Sequence, residues 1–171
     1  MGKKGVEIKM PNWCEGILKV RGSKENIIRF LENGICKNEL KKSSSIIELH
    51  YESVELDYEK VGYDLLYENK NNDTIYIKNT HRCFVLGDII FYDDDDILCL
   101  DIEQAWDIDV ENFVAISKEY NIDIRINAFE RGMCFTREVE IIKGKVTMNY
   151  TKNYEDYKMY KWEVYDPRLG G

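Results

Sequence analysis

Apolar and polar residues alternate in steps of two along several stretches of the chain, and apolar residues recur in helical steps along two others. Ile17, Leu18 and Val20 make Glu15 to Arg21 a strand, which Gly22 ends. Ser23 follows as a helix N-cap, its hydroxyl suited to accept from the orphan amides of the first turn. Ile27, Ile28 and Leu31 form the stripe of that helix, Phe30 widens it, and Asn33-Gly34 predicts a stop at a residue with positive φ. Lys37 to Ser45 reads as a polar connector. Ile46 to Leu49, Ser53 to Tyr58 and Thr74 to Lys78 are short strand-like runs, with a short helix at Glu59 to Asn69 and a turn at Asn69 to Asp73. Cys83 to Leu86 and Ile89 to Tyr92 flank Gly87-Asp88, a hairpin signal.

The second half is clearer. Leu98, Leu100 and Ile102 face one way along Ile97 to Gln104, with Cys99, Asp101 and Glu103 facing the other. Asp109 caps a second helix whose apolar positions are Val110, Phe113 and Val114, with Ser117 as the small fourth, and Asn121 is its left-handed stop. Ile122, Ile124, Ile126 and Ala128 alternate with Asp123, Arg125 and Asn127 in a half-buried strand. Arg131-Gly132 turns the chain into Phe135 to Ile142, and Lys143-Gly144 turns it again into Val146 to Tyr150.

Strand, helix, a block of short strands, strand, helix, strand and meander pack most simply as two split βαβ halves. The expected fold is therefore α+β: a ferredoxin-like antiparallel sheet with two helices on one face, inserted short strands and a C-terminal β meander. Residues 10–150 read as the domain with an insertion at about 35–96, and 151–171 as an aromatic and basic tail. In that tail Tyr160, Trp162 and Val164 alternate as on a last strand.

A chain of 171 residues, 44% hydrophobic and 33% charged, suits one globular domain. No apolar run approaches the roughly 18 residues of a membrane span, and Met1 to Gly5 lacks a signal-peptide core, so the expected compartment is the cytoplasm. The five cysteines are widely spaced without a C-x-x-C pair, which fits reduced, idle thiols and offers neither zinc nor iron–sulfur spacing. Charge is the most uneven property. Asp93, Asp94, Asp95, Asp96, Asp101, Glu103, Asp107, Asp109 and Glu111 lie in one segment without Lys or Arg, and with the whole chain at −8 the remainder sums to +1. Such a field repels nucleic-acid backbones and attracts basic protein surfaces. The bland alternative is a solvated loop tip, strand edge and helix start.

Met10-Pro11-Asn12-Trp13-Cys14, followed by a strand, a glycine and a capped helix, resembles the opening of the YubB-type ferredoxin-like domain of plasmid and phage proteins. Gln104-Ala105-Trp106 and Phe129-Glu130-Arg131-Gly132-Met133-Cys134-Phe135 are similar to that family's later signature. The chain departs from it in two places. Phe84 to Asp88 and the aspartate run stand where the family carries Trp-Gly-x-Lys-Trp, and Asp107-Ile108-Asp109 replaces its Ser-Pro-Pro. That family tends to begin at the Met of its first motif, so the resemblance implies that residues 1–9 are an N-terminal extension; it also implies a mobile-element origin and no established enzymatic activity.

Asp107-x-Asp109-x-Glu111 resembles the start of a calcium loop but lacks the glycine at its sixth place (Asn112) and the acid at its twelfth (Lys118). No P-loop, G-x-S-x-G or H-E-x-x-H is present, and neither His50 nor His81 sits in a catalytic motif, so no cofactor and no metal is expected. Trp13 and Trp106 read first as core anchors. The leading expectation is a non-enzymatic binding protein, an inhibitor or adaptor whose acidic face docks on the basic groove of a host nucleic-acid-binding defence machine. The alternative is single-stranded nucleic-acid binding by Tyr157, Tyr160, Lys161 and Trp162, an aromatic and basic set suited to base stacking. A third is a small enzyme with a spatially assembled carboxylate pair.

Overall fold

The computed structural model describes residues 12–37, 50–56, 60–67, 74–92 and 94–164. The extension 1–9, the connector beyond Lys37, the run Ile46 to Leu49, the turn Asn69 to Asp73, Asp93 and the tail from Tyr165 lie outside the described residues. The elements in chain order are β1 (Trp13–Arg21), α1 (Lys24–Gly34), β2 (Ile35–Lys37), β3 (His50–Leu56), β4 (Lys60–Tyr67), β5 (Ile75–Ile77) and β6 (Cys83–Leu86). They continue with β7 (Ile89–Phe91), β8 (Ile97–Ala105), α2 (Val110–Tyr120), β9 (Asp123–Glu130), β10 (Phe135–Ile142), β11 (Lys145–Asn153) and α3 (Tyr157–Glu163).

The architecture is α+β. Among the described residues, three helices accompany an open antiparallel sheet of eight strands in the order β11-β10-β9-β1-β8-β6-β5-β2. A second sheet, β3-β4-β7, has three strands. The central strand β1 pairs antiparallel with β8 from Trp13–Ala105 to Arg21–Ile97, and with β9 from Cys14–Glu130 to Arg21–Asp123. Its even positions are buried: Cys14, Leu18 and Val20 lie in one core with Leu98, Leu100 and Ile102 of β8, Ile124 and Ile126 of β9, and Val139 and Ile141 of β10. Ile27, Phe30 and Leu31 of α1 and Phe113, Ile116 and Tyr120 of α2 join the same cluster, so both helices cover this face. The odd positions of β1 and β8 form the other, open face.

Local chemistry explains most boundaries. The Ser23 hydroxyl accepts from Asn26 N and the Asp109 carboxylate from Asn112 N, as N-caps do. Asn121 takes left-handed angles (φ 53°, ψ 52°) and stops α2, while Lys143 and Gly144, both at positive φ, turn β10 into β11. Gly16 is required by close approach: a Cβ there would lie 2.1 Å from Asn127 O and 2.5 Å from Ala128 Cα on β9.

Four expectations are corrected. Gly34 does not end α1 in a left-handed turn; the chain passes into β2 through Ile35 at φ −114°, and Gly34 instead leaves room for the Phe30 and Tyr120 rings. Glu59 to Asn69 does not form a helix, because Lys60–Tyr67 pairs with β3 and β7 as a strand. Cys83 to Leu86 and Ile89 to Tyr92 do not form a hairpin: β6 joins β5 and β8, whereas β7 joins β4 in the other sheet. Tyr160, Trp162 and Val164 do not alternate on a last strand. Asp156 caps α3 by accepting from Met159 N, and helical spacing turns Tyr160 inward and Trp162 outward.

Candidate functional site

The acidic segment is spread along β8 rather than gathered on one spot. Asp94, Asp95 and Asp96 stand exposed before the strand, at the end where Ile97 pairs with Arg21. Asp95 closes a tight turn, its carboxylate accepting from Tyr92 N. Asp107, Asp109 and Glu111 lie past the opposite end, about 27 Å away at the rise of an antiparallel strand. That is some three Debye lengths at physiological salt, so the two ends act as separate charges toward a partner. Asp107 is engaged by Arg137 Nε at 2.9 Å, and Asp109 is committed to its cap and lies 3.9 Å from His81 Nε2. Glu111 is exposed in the first turn of α2.

Between the two ends, Asp101 and Glu103 project from the open face. Glu103 lies directly opposite Glu15 of β1 on one side and Phe84 of β6 on the other. Burial holds the Glu103 carboxyl above its ordinary value, and Glu15 adds to the effect. Among the described residues neither Asp101 nor Glu103 has a cation within ion-pair distance. One row further along, the Trp13 and Phe84 rings pack at 5.5 Å between centroids, and the Arg82 guanidinium sits 5.3 Å from the Trp13 ring centre. The opposite half of the same face is basic and paired. Arg21 meets Asp123 at 2.8 Å, and Arg125 spans Glu138 at 3.0 Å and Glu140 at 3.3 Å. Burial pushes the Asp123 carboxyl up, but hydrogen bonds from Arg21 and Lys143 N outweigh it and leave it below its ordinary value. Arg21, Asp123, Arg125 and Glu140, with Lys19 and Ile97, line an open cavity of about 270 Å³.

Asn12, Gln104 to Trp106 and Glu130 to Met133 lie at the other end of the sheet. Trp106 N donates to Asn12 O, and Glu130 accepts from Gly132 N at 2.6 Å and from Met133 N. Gln104 is fully buried, donating to His81 O and accepting from Asp109 N, so it ties β8 to the start of α2. Burial pushes the Cys14 thiol up to about 12, with Asp107 adding and Arg137 opposing, so it stays protonated near neutral pH. Trp13 is half-buried, whereas Trp106, at φ 73°, is exposed rather than a core anchor. Cys99 is exposed and Cys134 half-buried; Cys14, Cys36 and Cys83 are buried, and no disulfide joins any of the five.

The four tail residues are divided. Tyr160 is buried, its ring against Tyr154 and Tyr157, and burial pushes its hydroxyl well above the ordinary value. Tyr157, Lys161 and Trp162 are exposed, Trp162 at 89%. Sequence reasoning missed Trp13, Phe84, Glu15 and Arg82 as neighbours of the acidic strand. Only the register of β1, β8 and β6 joins them, although the alternation had already placed Asp101 and Glu103 on one face.

No protein-family model, curated protein or solved structure matches the chain. Among the described residues no cluster of three His, Cys, Asp or Glu side chains is placed to hold a metal ion, and no helix is long and apolar enough to cross a membrane.

Proposed function

We propose that the chain is a binding protein that docks a basic protein surface on the open face of its sheet, centred on Asp101 and Glu103. The observation that carries this reading is the pair itself: carboxylates on an uncovered face, beside Glu15, with no cation of their own among the described residues. Asp94 and Asp96, about 17 Å along the strand at the Arg21 end, and Asp107 and Asp109, engaged within the fold, fall outside the docking surface. The fold proposal is a ferredoxin-like core. Its support is the order β9-β1-β8-β6, with α2 joining β8 to β9 around β1. The signature segments support a mobile-element origin, and an inhibitor or adaptor acting on the basic groove of a host nucleic-acid-binding machine fits both charge and origin.

The test is capture from host lysate by tagged protein, with nuclease present throughout. A stoichiometric partner should be retained by wild type, lost on Asp101→Lys with Glu103→Lys, and kept by Glu111→Lys. Equal capture by the double variant, with an unchanged circular dichroism spectrum, would overturn the reading.

A second reading keeps one specific support, the exposure of Trp162 beside Lys161 on α3. There Tyr157 and Trp162 would stack on single-stranded bases, without Tyr160. Salt-sensitive retention on an oligonucleotide column, abolished by Trp162→Ala, is its signature.

A further inference from the structure

We infer that Trp13, Phe84 and Glu103 form a subsite for an arginine side chain of the partner, and that Arg82 covers its Trp13 ring in the free protein. This deepens the acidic-face proposal and rests on it. The geometry starts with two adjacent rows of the open face. Phe84, Glu103 and Glu15 lie side by side on β6, β8 and β1, and Trp13 stands opposite Ala105 in the next row. The Trp13 and Phe84 rings are inclined at 57°, so they form a corner rather than a flat stack. A planar cation in such a corner meets a π face on one side and a carboxylate on the other, a combination that favours guanidinium over ammonium.

The second observation is that the protein already places a guanidinium on the Trp13 ring. Arg82 Cζ lies 5.3 Å from the Trp13 ring centre, within the range of a cation–π contact. Its backbone is held for that purpose at a cost. Arg82 has φ 52°, in the left-handed region that non-glycine residues avoid. The neighbouring hydrogen bonds fix it there: Arg82 N donates to Thr80 O at 3.0 Å, and Arg82 O accepts from Ala105 N at 3.3 Å. The Arg82 side chain is itself exposed, so it can swing aside without disturbing the core.

Arg82 therefore acts as an internal competitor. An incoming arginine replaces it on Trp13 and gains Glu103, while Arg82 returns to water. Removing Arg82 should strengthen binding of an arginine-bearing strand by about the value of one exposed cation–π contact, two- to fivefold.

The probes are an arginine-rich peptide and its lysine counterpart, titrated calorimetrically into the full chain. Asparagine tolerates the left-handed backbone, so Arg82→Asn removes the cation without straining the loop. The expected results are preference for the arginine peptide and a gain of about two- to fivefold in Arg82→Asn. Lys19→Ala removes one charge elsewhere on the same face and controls for net charge. Trp13→Leu should cancel the Arg82→Asn gain. Equal gains from Lys19→Ala and Arg82→Asn, or a gain that survives Trp13→Leu, would overturn the subsite while leaving the acidic face standing. Peptide binding that is indifferent to Asp101→Lys with Glu103→Lys would overturn both.

Discussion

Glu103 sits where burial and a second acid act on one carboxyl. Its carboxyl titrates above the ordinary value because burial, and then Glu15, disfavour its charged form. A raised acid favours the folded state below the unfolded pKa and loses that contribution as pH climbs through the folded value. Glu103→Gln should therefore raise Tm slightly near pH 7, by about 1 °C given solvent screening, and the gain should vanish by about pH 4. Thermal melts of both proteins across that range check it; a constant difference would mean the shift comes from packing. At this scale the sequence was informative about caps and stops. Ser23, Asp109 and Asn121 do what their chemistry predicts, because those interactions span only a few residues. Gly34 was misread because its reason lies in the Phe30 and Tyr120 rings, which no local pattern reveals.

Elements were legible in proportion to how much of their environment lies in their own periodicity. The strands around the core show strict alternation, and β8, β9 and β10 emerge within a residue or so of their expected limits. The short strands failed differently. Cys83–Leu86 and Ile89–Phe91 carry a turn signal between them, yet their partners lie in separate sheets, and pairing of that kind is decided by distant strands. In the tail the alternation of Tyr160, Trp162 and Val164 competed with a capped helix. Tyr154, Tyr157 and Tyr160 at three-residue spacing, with Asp156 before Tyr157, held the winning signal. The contact between β1 and β9 also belongs to this scale. Gly16→Ala places a Cβ against the β9 backbone, which can yield only by separating the strands, so the variant should lose about 3 kcal/mol. Urea unfolding measures this directly, and a loss well under 1 kcal/mol would show that the strands part easily.

For the whole molecule, the relevant feature is that one sheet face carries opposite charges in separate halves. Lys19, Arg21 and Arg125 lie toward one end of the face and Glu15, Asp101 and Glu103 toward the other. The basic side is largely neutralised by Asp123, Glu138 and Glu140, whereas the acidic side draws on a chain of net charge −8. Association with a basic partner should accordingly slow steeply as salt rises while dissociation changes little. Surface plasmon resonance across a salt series separates the two rates; a salt-independent association rate would remove charge as the steering force. The excess of acids was plain in the sequence, but its division was not. The commitment of Asp109 to the α2 cap was legible locally, but that of Asp107 depends on Arg137, which meets it only in the folded chain.

The place of β1 has a further consequence, for synthesis on the ribosome. The strand Trp13–Arg21 is flanked by Ile97–Ala105 and Asp123–Glu130, neither of which exists when it leaves the exit tunnel. At about 5–20 residues per second, the wait until both neighbours have been translated is roughly 5–20 s. For that interval Leu18 and Val20 have no sheet to join, and both edges of the nascent strand are open to chaperones or to other unfinished chains. A transcript cut before the codon for Glu130 therefore yields a polypeptide whose innermost strand has lost part of a wall.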